Sequence, residues 1–320
     1  MEKYGFVILI IALVGLSAYI PDTKPDQGPK TKEELGEKLF HDKRLSGNRK
    51  ISCASCHKPD FAFADTVRFS IGADGLPGRR NTPSVMNMSS RTLFFYDGRV
   101  SSLEDQVSVP IEDHLEMNMH FKEACRRICD DADYQAYFRK IYGTNPDAPL
   151  IRDAIAAFER SLESADTPFD RWMNGDTAAM SASAVRGRDL FMDDNKTKCF
   201  LCHFSPDFTG DQFRNIGLFD GKLLNDAGRF EVTGDSSDLG RFKTPGLRNI
   251  AVTAPYMHNG MFATIREVLV YYNNPLAVVA KPIMIDTLLQ APLGLNEMEL
   301  SDLENFLEAL TDDRFAKGRK

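Results

Sequence analysis

"CASCH" at Cys53–His57 and "CFLCH" at Cys199–His203 decide how this chain is read. Two thiols separated by two residues and followed at once by an imidazole form the attachment signature of a c-type haem. The thiols bond the two porphyrin vinyl groups, and the adjacent His ligates iron on one face. A structural zinc site instead needs four Cys or His ligands gathered in two clustered pairs. Here the pairs stand far apart in sequence, and each carries its own His. The spacing predicts two covalently bound haem c groups, anchored by Cys53, Cys56, Cys199 and Cys202, with His57 and His203 as iron ligands. Zinc or a redox dithiol is the competing reading of an isolated CxxC.

Upstream of the first pentapeptide stands "ELGEKLF" (Glu34–Phe40), and upstream of the second "VRGRDLF" (Val185–Phe191). Both carry Gly-x-x-Leu-Phe where a helix would run into the Cys loop, which suggests two copies of one helical unit. Thr31 and Glu34 have capping-box spacing, and Ser181 and Ser183 are candidate N-caps for the second copy. Ile151, Ile155, Phe158 and Leu162 recur at helical spacing, as do Leu300, Leu303, Leu307 and Leu310 behind an Asn296 cap. Strand signals are scarce. The fold class expected is all-α with long loops at 59–100 and 204–250, where loops of that length wrap a cofactor or carry function.

The chain has 320 residues, enough for two domains of ordinary size. Its net charge of −7 argues against nucleic acid as a partner. Lys3 followed by an apolar run from Phe6 to about Ala18 reads as a signal peptide over 1–18, too short for a comfortable membrane span. An uncleaved anchor is the alternative, and it is the one reading that ties the chain to a membrane. Both place the rest outside the cytoplasm, in the periplasm. Residues 19–30 read as a polar tether. The expected division is then 31–165, a turn-rich linker at 166–180, and 181–320. Of six Cys, only Cys125 and Cys129 fall outside the pentapeptides. At i, i+4 they would share a helix face, as a strained disulfide or as two buried thiols.

Further motifs carry a resemblance. "RNTPSVMN" (80–87), "FFYDGRVSSLEDQVSVPI" (94–111), Glu116–Met117 and "FKTPGLRNIAVTAPYMHNG" (242–260) occur in order around the two pentapeptides. Over residues 31–312 the chain resembles the bacterial di-haem cytochrome c peroxidases, including their MauG-type branch. The resemblance implies two cytochrome c-like helical domains, each around one haem, with a calcium ion between them at Asn81 and the carbonyls of Thr253 and Pro255. It implies hydrogen peroxide as substrate at the N-terminal haem, with Glu116 as the acid–base group and Gln106 and Pro110 beside it. Cleaving an O–O bond needs one group to take a proton from the near oxygen and return it to the departing one.

Three departures distinguish this chain from ordinary members of that family. A distal His normally precedes the "RN" motif, whereas "SIGADGLPGRRN" (70–81) has none and Ala73 stands at the matching position. His114 and His120 fall in the wrong motif. The N-terminal haem is therefore expected to be open without reductive activation. Fourteen residues after His258, where ordinary members carry a Met ligand, stands Tyr272, as in MauG-type members. A phenolate favours ferric and higher states, whereas a thioether favours ferrous iron. Tyr271, Met257 and Met261 are the competing ligands. Tyr96 replaces the usual Trp between the haems, and its oxidation is coupled to proton loss. Lys243 and Arg248 are candidate partners of haem propionates on charge alone.

The activity expected is a MauG-like di-haem peroxidase or oxidase. Its donor would be a small cytochrome c, a cupredoxin or a side chain of a partner protein. An ordinary cytochrome c peroxidase and a di-haem electron carrier are the alternatives.

Overall fold

Thr31 starts the first helix by accepting the Glu34 N–H on its hydroxyl at 3.2 Å. The Glu34 carboxylate takes the N–H of Lys30 at 2.7 Å, so the expected reciprocal box is displaced by one residue. The computed structural model describes residues 28–164 and 166–316; the expected signal peptide, 1–18, and most of the tether lie outside the described residues. The first half runs α1 (Lys32–Phe40), α2 (Cys53–Cys56), α3 (Leu103–Glu112), α4 (Phe121–Cys129), α5 (Ala132–Tyr142) and α6 (Ala148–Ser161). The second runs α7 (Pro168–Met173), α8 (Ala182–Phe191), α9 (Phe230–Thr233), α10 (Ile265–Asn273), α11 (Pro275–Val278), α12 (Glu297–Glu308) and α13 (Asp313–Ala316). Among the described residues the one sheet is a two-residue antiparallel pair, β1 (Phe213–Arg214) with β2 (Phe242–Lys243). No described helix is long and apolar enough to cross a membrane.

The repeated Gly-x-x-Leu-Phe has a packing cause. A Cβ on Gly36 would lie 1.9 Å from the Ala154 carbonyl oxygen on α6, and one on Gly187 would lie 1.8 Å from the Asp302 carbonyl oxygen on α12. Each glycine lets α1 cross α6, and α8 cross α12, at backbone contact. The Phe of each motif then enters a triad of rings. Phe40, Phe63 and Phe158 stand 5.2–6.1 Å apart in the first half. Phe191, Phe208 and Phe306 stand 5.2–6.0 Å apart in the second. Such tilted and edge-on rings are the favoured aromatic geometry. The repeat seen in five residues thus extends to a helix crossing and a buried aromatic cluster.

Among the described residues two large apolar cores result, with a smaller cluster of Phe94, Leu103 and Ala156. One gathers α1 and α3–α6 around Leu35, Phe40, Ile111, Phe138 and Ile155. The other gathers α7, α8, α10 and α12 around Phe169, Phe208, Leu269 and Phe306. The stretch read as a turn-rich linker contains a helix, α7, capped reciprocally by Thr167 and Asp170. Phe169 is buried in the second core, so 166–180 packs with the second half and is not a free connection. The signal missed was Thr-Pro-x-Asp, a cap, an N1 proline and a carboxylate in the first turn. Ser181 caps α8, while Ser183 donates to Asp302 at 2.5 Å instead. Cys125 and Cys129 lie on α4 as free thiols, with no disulfide between them. Cys125 is buried, which raises its pKa to about 11 and leaves it unreactive.

Ion pairs and main-chain bonds join the halves. Arg80 spans Asp97 at 2.5 Å and Asp226 at 2.7 Å, and Arg91 spans Asp207 and Asp211. The Lys243 N–H donates to the Tyr96 carbonyl at 2.7 Å.

Candidate haem sites

The short helix α2 begins at Cys53, and the turn at 199–201 begins at Cys199, so each pentapeptide brings its cysteines onto one local turn. In the first site, the His57 Nδ1–H donates to the carbonyls of Phe63 at 3.0 Å and Pro83 at 3.1 Å. In the second, the His203 Nδ1–H donates to the carbonyl of Phe208 at 2.9 Å and to that of Pro245. Carbonyls only accept, so the proton is fixed on Nδ1 and the Nε2 lone pair is presented outward. Burial lowers the pKa of both rings and keeps them neutral, the state that ligates iron. The acceptors repeat as well: Phe63 and Phe208 are members of the two ring triads, and Pro83 and Pro245 each follow a Thr. All four cysteines are free in the structure and carry raised pKa values through burial. Two thiols and one Nδ1-locked imidazole at each site fit covalent haem, which then supplies redox-active iron.

Around the first site, Glu116 follows α3. The Met117 N–H donates to the Pro110 carbonyl at 3.1 Å, which holds Glu116 beside the α3 face shared by Gln106 and Pro110. The charge of Glu116 registers on both Cys53 and Cys56. Burial, with Asp113 adding and Arg99 opposing, pushes the Glu116 carboxyl up to about 7. The Ala73 N–H donates to the Glu116 carbonyl at 2.6 Å, and the Asn48 amide binds the Ala73 carbonyl. Gly72 lies against the Leu115 carbonyl so closely that a Cβ would sit 2.1 Å from it. The segment lacking a His is therefore strapped directly to the Glu116 turn. His114 and His120 are exposed on the surface. His41 is exposed too, donating to the Glu37 carbonyl at 2.9 Å.

Around the second site, α10 presents two adjacent tyrosines, about 100° apart on a helix of 3.6 residues per turn. Tyr271 is 1% exposed and donates to the Ile216 carbonyl at 2.5 Å. The Tyr272 hydroxyl has no hydrogen bond among the described residues. It lines the cavity with Cys199, Cys202 and His203, and burial raises its pKa. Met257 lines the same cavity, while the Met261 sulfur accepts from the Asn259 amide at 3.6 Å.

Tyr96 also lines this cavity, which therefore reaches from the second site to the junction of the halves. Burial raises the Tyr96 pKa, against the nearby positive charge of Arg80. A stack not foreseen from the sequence adjoins it. Phe242 and His258 lie face to face at 3.7 Å, with Arg80 over the Phe242 ring. Burial lowers the His258 pKa to about 4, with Asp226 opposing. Asn81, Thr253 and Pro255 line the cavity together. The Asn81 amide N–H donates to the carbonyls of Val67 and Arg68, which turns its Oδ1 the other way. Lys243 reaches Asp211 at 3.2 Å and Arg248 grips Asp170 with both nitrogens, so these two cations already have carboxylate partners. Glu159, buried on α6, was also missed. Its only signal in the sequence was a carboxyl one turn after Ile155 on the apolar stripe.

Two such sites on a helical scaffold define a c-type cytochrome with two haems. A family model described as di-haem cytochrome c peroxidase matches residues 30–178. The methylamine utilization protein MauG of Methylorubrum extorquens is 37% identical over 292 residues, 89% of this chain and 80% of that protein. The cytochrome c peroxidase Ccp of Escherichia coli is 37% identical over 252 residues, 77% of this chain and 53% of that protein. The crystal structure of a MauG-like protein associated with microbial copper homeostasis superposes with a TM-score of 0.81 at 32% identity, covering 95% of this chain and 99% of that one. The chain belongs to the di-haem cytochrome c peroxidase family. It is an oxidoreductase carrying covalently bound c-type haems.

Proposed function

We propose that this is a periplasmic, MauG-like di-haem peroxidase or oxidase, with one cytochrome c-like domain around each haem and distinct tasks for the two. The observation that carries the reading is the pair of environments. One site has an acid–base carboxyl and no axial donor on the strap at 70–78. The other has a phenol without a hydrogen bond among the described residues, lining the cavity with its cysteines and His203. Similarity runs to proteins named MauG and to proteins named cytochrome c peroxidase alike, so the choice between those roles rests on these residues.

At the first site the haem supplies the redox iron for reducing hydrogen peroxide to two waters with two electrons and two protons. Glu116 takes a proton from the near oxygen of the incoming peroxide and returns it to the departing oxygen. A carboxyl with a pKa of about 7 is suited to both transfers near neutral pH. Gln106 orients the peroxide from the same α3 face. At the second site Tyr272 and His203 are the residues that would hold the haem iron. The buried Tyr272 phenol gives up its proton only beside a cation, a condition that ferric iron meets. Tyr96 links the two sites through the junction. Asn81 Oδ1 and the carbonyls of Thr253 and Pro255 hold a calcium ion there, the oxygen donors a hard cation prefers. The electrons come from a small cytochrome c, a cupredoxin or a side chain of a partner protein.

Electron paramagnetic resonance of the oxidised protein, before and after stoichiometric peroxide, tests the reading. One high-spin and one low-spin signal, both changed by peroxide without prior reduction, are expected. Two low-spin signals of His/Met type, silent to peroxide until reduction, would return the chain to the ordinary peroxidases.

A further inference from the structure

The buried stripe of α6 contains one carboxyl. Ile151, Ile155 and Glu159 follow one another at i, i+4 spacing, and Glu159 is 4% exposed. Its neighbour Arg160 is the charge that acts on it, yet both ends of that guanidinium are held by Glu104 at 2.6 and 2.9 Å. Each of the helices packed on α6 has a charge paired elsewhere. From α1, Lys32 pairs with Asp153; from α3, Asp105 pairs with Arg152; from α4, Arg127 pairs with Glu123. No hydrogen bond reaches the Glu159 carboxyl among the described residues. Burying a carboxylate without a partner is costly, and the group is pushed up to about 8.

Position gives this carboxyl a role. Phe158, the residue before Glu159, packs on Phe40 at 5.2 Å and on Phe63 at 6.0 Å, the Phe63 carbonyl holds His57, and Cys53 packs against the same core, so this turn of α6 lies under the first haem site. Glu116 is held on the strapped turn after α3, while Glu159 is buried on the core stripe of α6.

We propose that Glu159 is a redox-linked proton site of the N-terminal haem. Its carboxyl holds a proton while the group anchored on Cys53 is reduced, and releases it when that group loses an electron. One electron leaves to the external oxidant and one proton leaves the carboxyl oxygen for solvent, so the net charge enclosed is unchanged. The physical reason is the low dielectric of the core, where a new positive charge is stabilised by a nearby carboxylate. The inference rests on haem attachment at Cys53 and is independent of any MauG-like role.

The test is a redox titration of the haem-loaded full chain with soluble mediators, followed by the absorbance of the N-terminal haem between about pH 6 and about pH 10. The midpoint is expected to fall with pH across a window around pH 8, approaching ~59 mV for each tenfold change in proton activity in a one-electron couple. Glu159→Gln keeps the side-chain size and cannot release a proton; it should abolish that slope. Glu116→Gln should retain it. A flat wild-type profile, or a slope unchanged in Glu159→Gln, overturns the proposal. Infrared difference spectra between oxidised and reduced protein supply a readout that does not need the Glu159 variant. A protonated-carboxyl band must vanish on oxidation in both wild type and Glu116→Gln, and its absence from Glu116→Gln overturns the proposal equally.

Discussion

Glu116 is expected to impose its own titration on the reaction with peroxide. The rise from 4.5 to about 7 is worth roughly 3 kcal/mol in favour of the protonated form, at ~1.4 kcal/mol per tenfold. Acting as the base, Glu116 must be ionised when peroxide enters. With a pKa of about 7, the ionised fraction climbs from about 1% at pH ~5 to about 90% at pH ~8. The second-order rate of peroxide consumption, measured by stopped flow under excess peroxide, should therefore increase roughly 90-fold over that interval and level off above it. Glu116→Gln should lower the plateau by about 100- to 10,000-fold and flatten the profile. Asp113→Asn removes the negative charge that adds to the upward shift, so the midpoint should move to lower pH with the plateau retained. A wild-type rate unchanged between pH ~5 and ~8, or a Glu116→Gln variant with the wild-type rate, refutes the base role.

The adjacent tyrosines should separate cleanly. Tyr272→Met should raise the potential of the second haem and alter its low-spin resonance. Tyr271→Phe should leave both unchanged and cost about 1 kcal/mol in denaturant unfolding, the net worth of its bond to the Ile216 carbonyl. Gly36→Ala and Gly187→Ala should each force a helix pair apart and destabilise by about 1–3 kcal/mol or more, seen as a lower unfolding midpoint. Glu159 should also make stability depend on pH. Its folded pKa lies above the unfolded 4.5, so its contribution is full below 4.5 and is lost as pH rises to about 8. Wild type should lose stability relative to Glu159→Gln across that window, and the gap should stay constant above it, as read by urea titration at a series of pH values.

Much of the architecture was legible because its causes are local. A Thr, Ser or Asn cap acts within three residues, so the starts of α1, α8 and α12 could be read directly. The helix carrying Ile151 and Ile155 showed itself by its apolar period. The short α7 escaped notice because six residues give little periodicity, and what holds Phe169 in place is the second core. The reason for the Gly-x-x-Leu-Phe repeat was equally hidden. The motif is visible, but the carbonyls of Ala154 and Asp302 that exclude a side chain lie more than a hundred residues away.

The sites divide along the same line. Covalent haem attachment is chemistry within five residues, so the sequence by itself determined the cofactor and its number and marked His57 and His203 as candidate ligands. Similar reasoning pointed to Glu116 and Tyr272 as candidates but could not weigh their surroundings. Only the tertiary structure decided that Tyr271 is spent on the Ile216 carbonyl while Tyr272 lines the cavity shared with Cys199 and Cys202. It also decided that Arg160 turns away to Glu104, leaving Glu159 a buried acid on α6. Spacing selects which atoms form bonds along the chain. Burial and the placement of charges from distant helices set protonation and potential, and those exist only once the helices have packed.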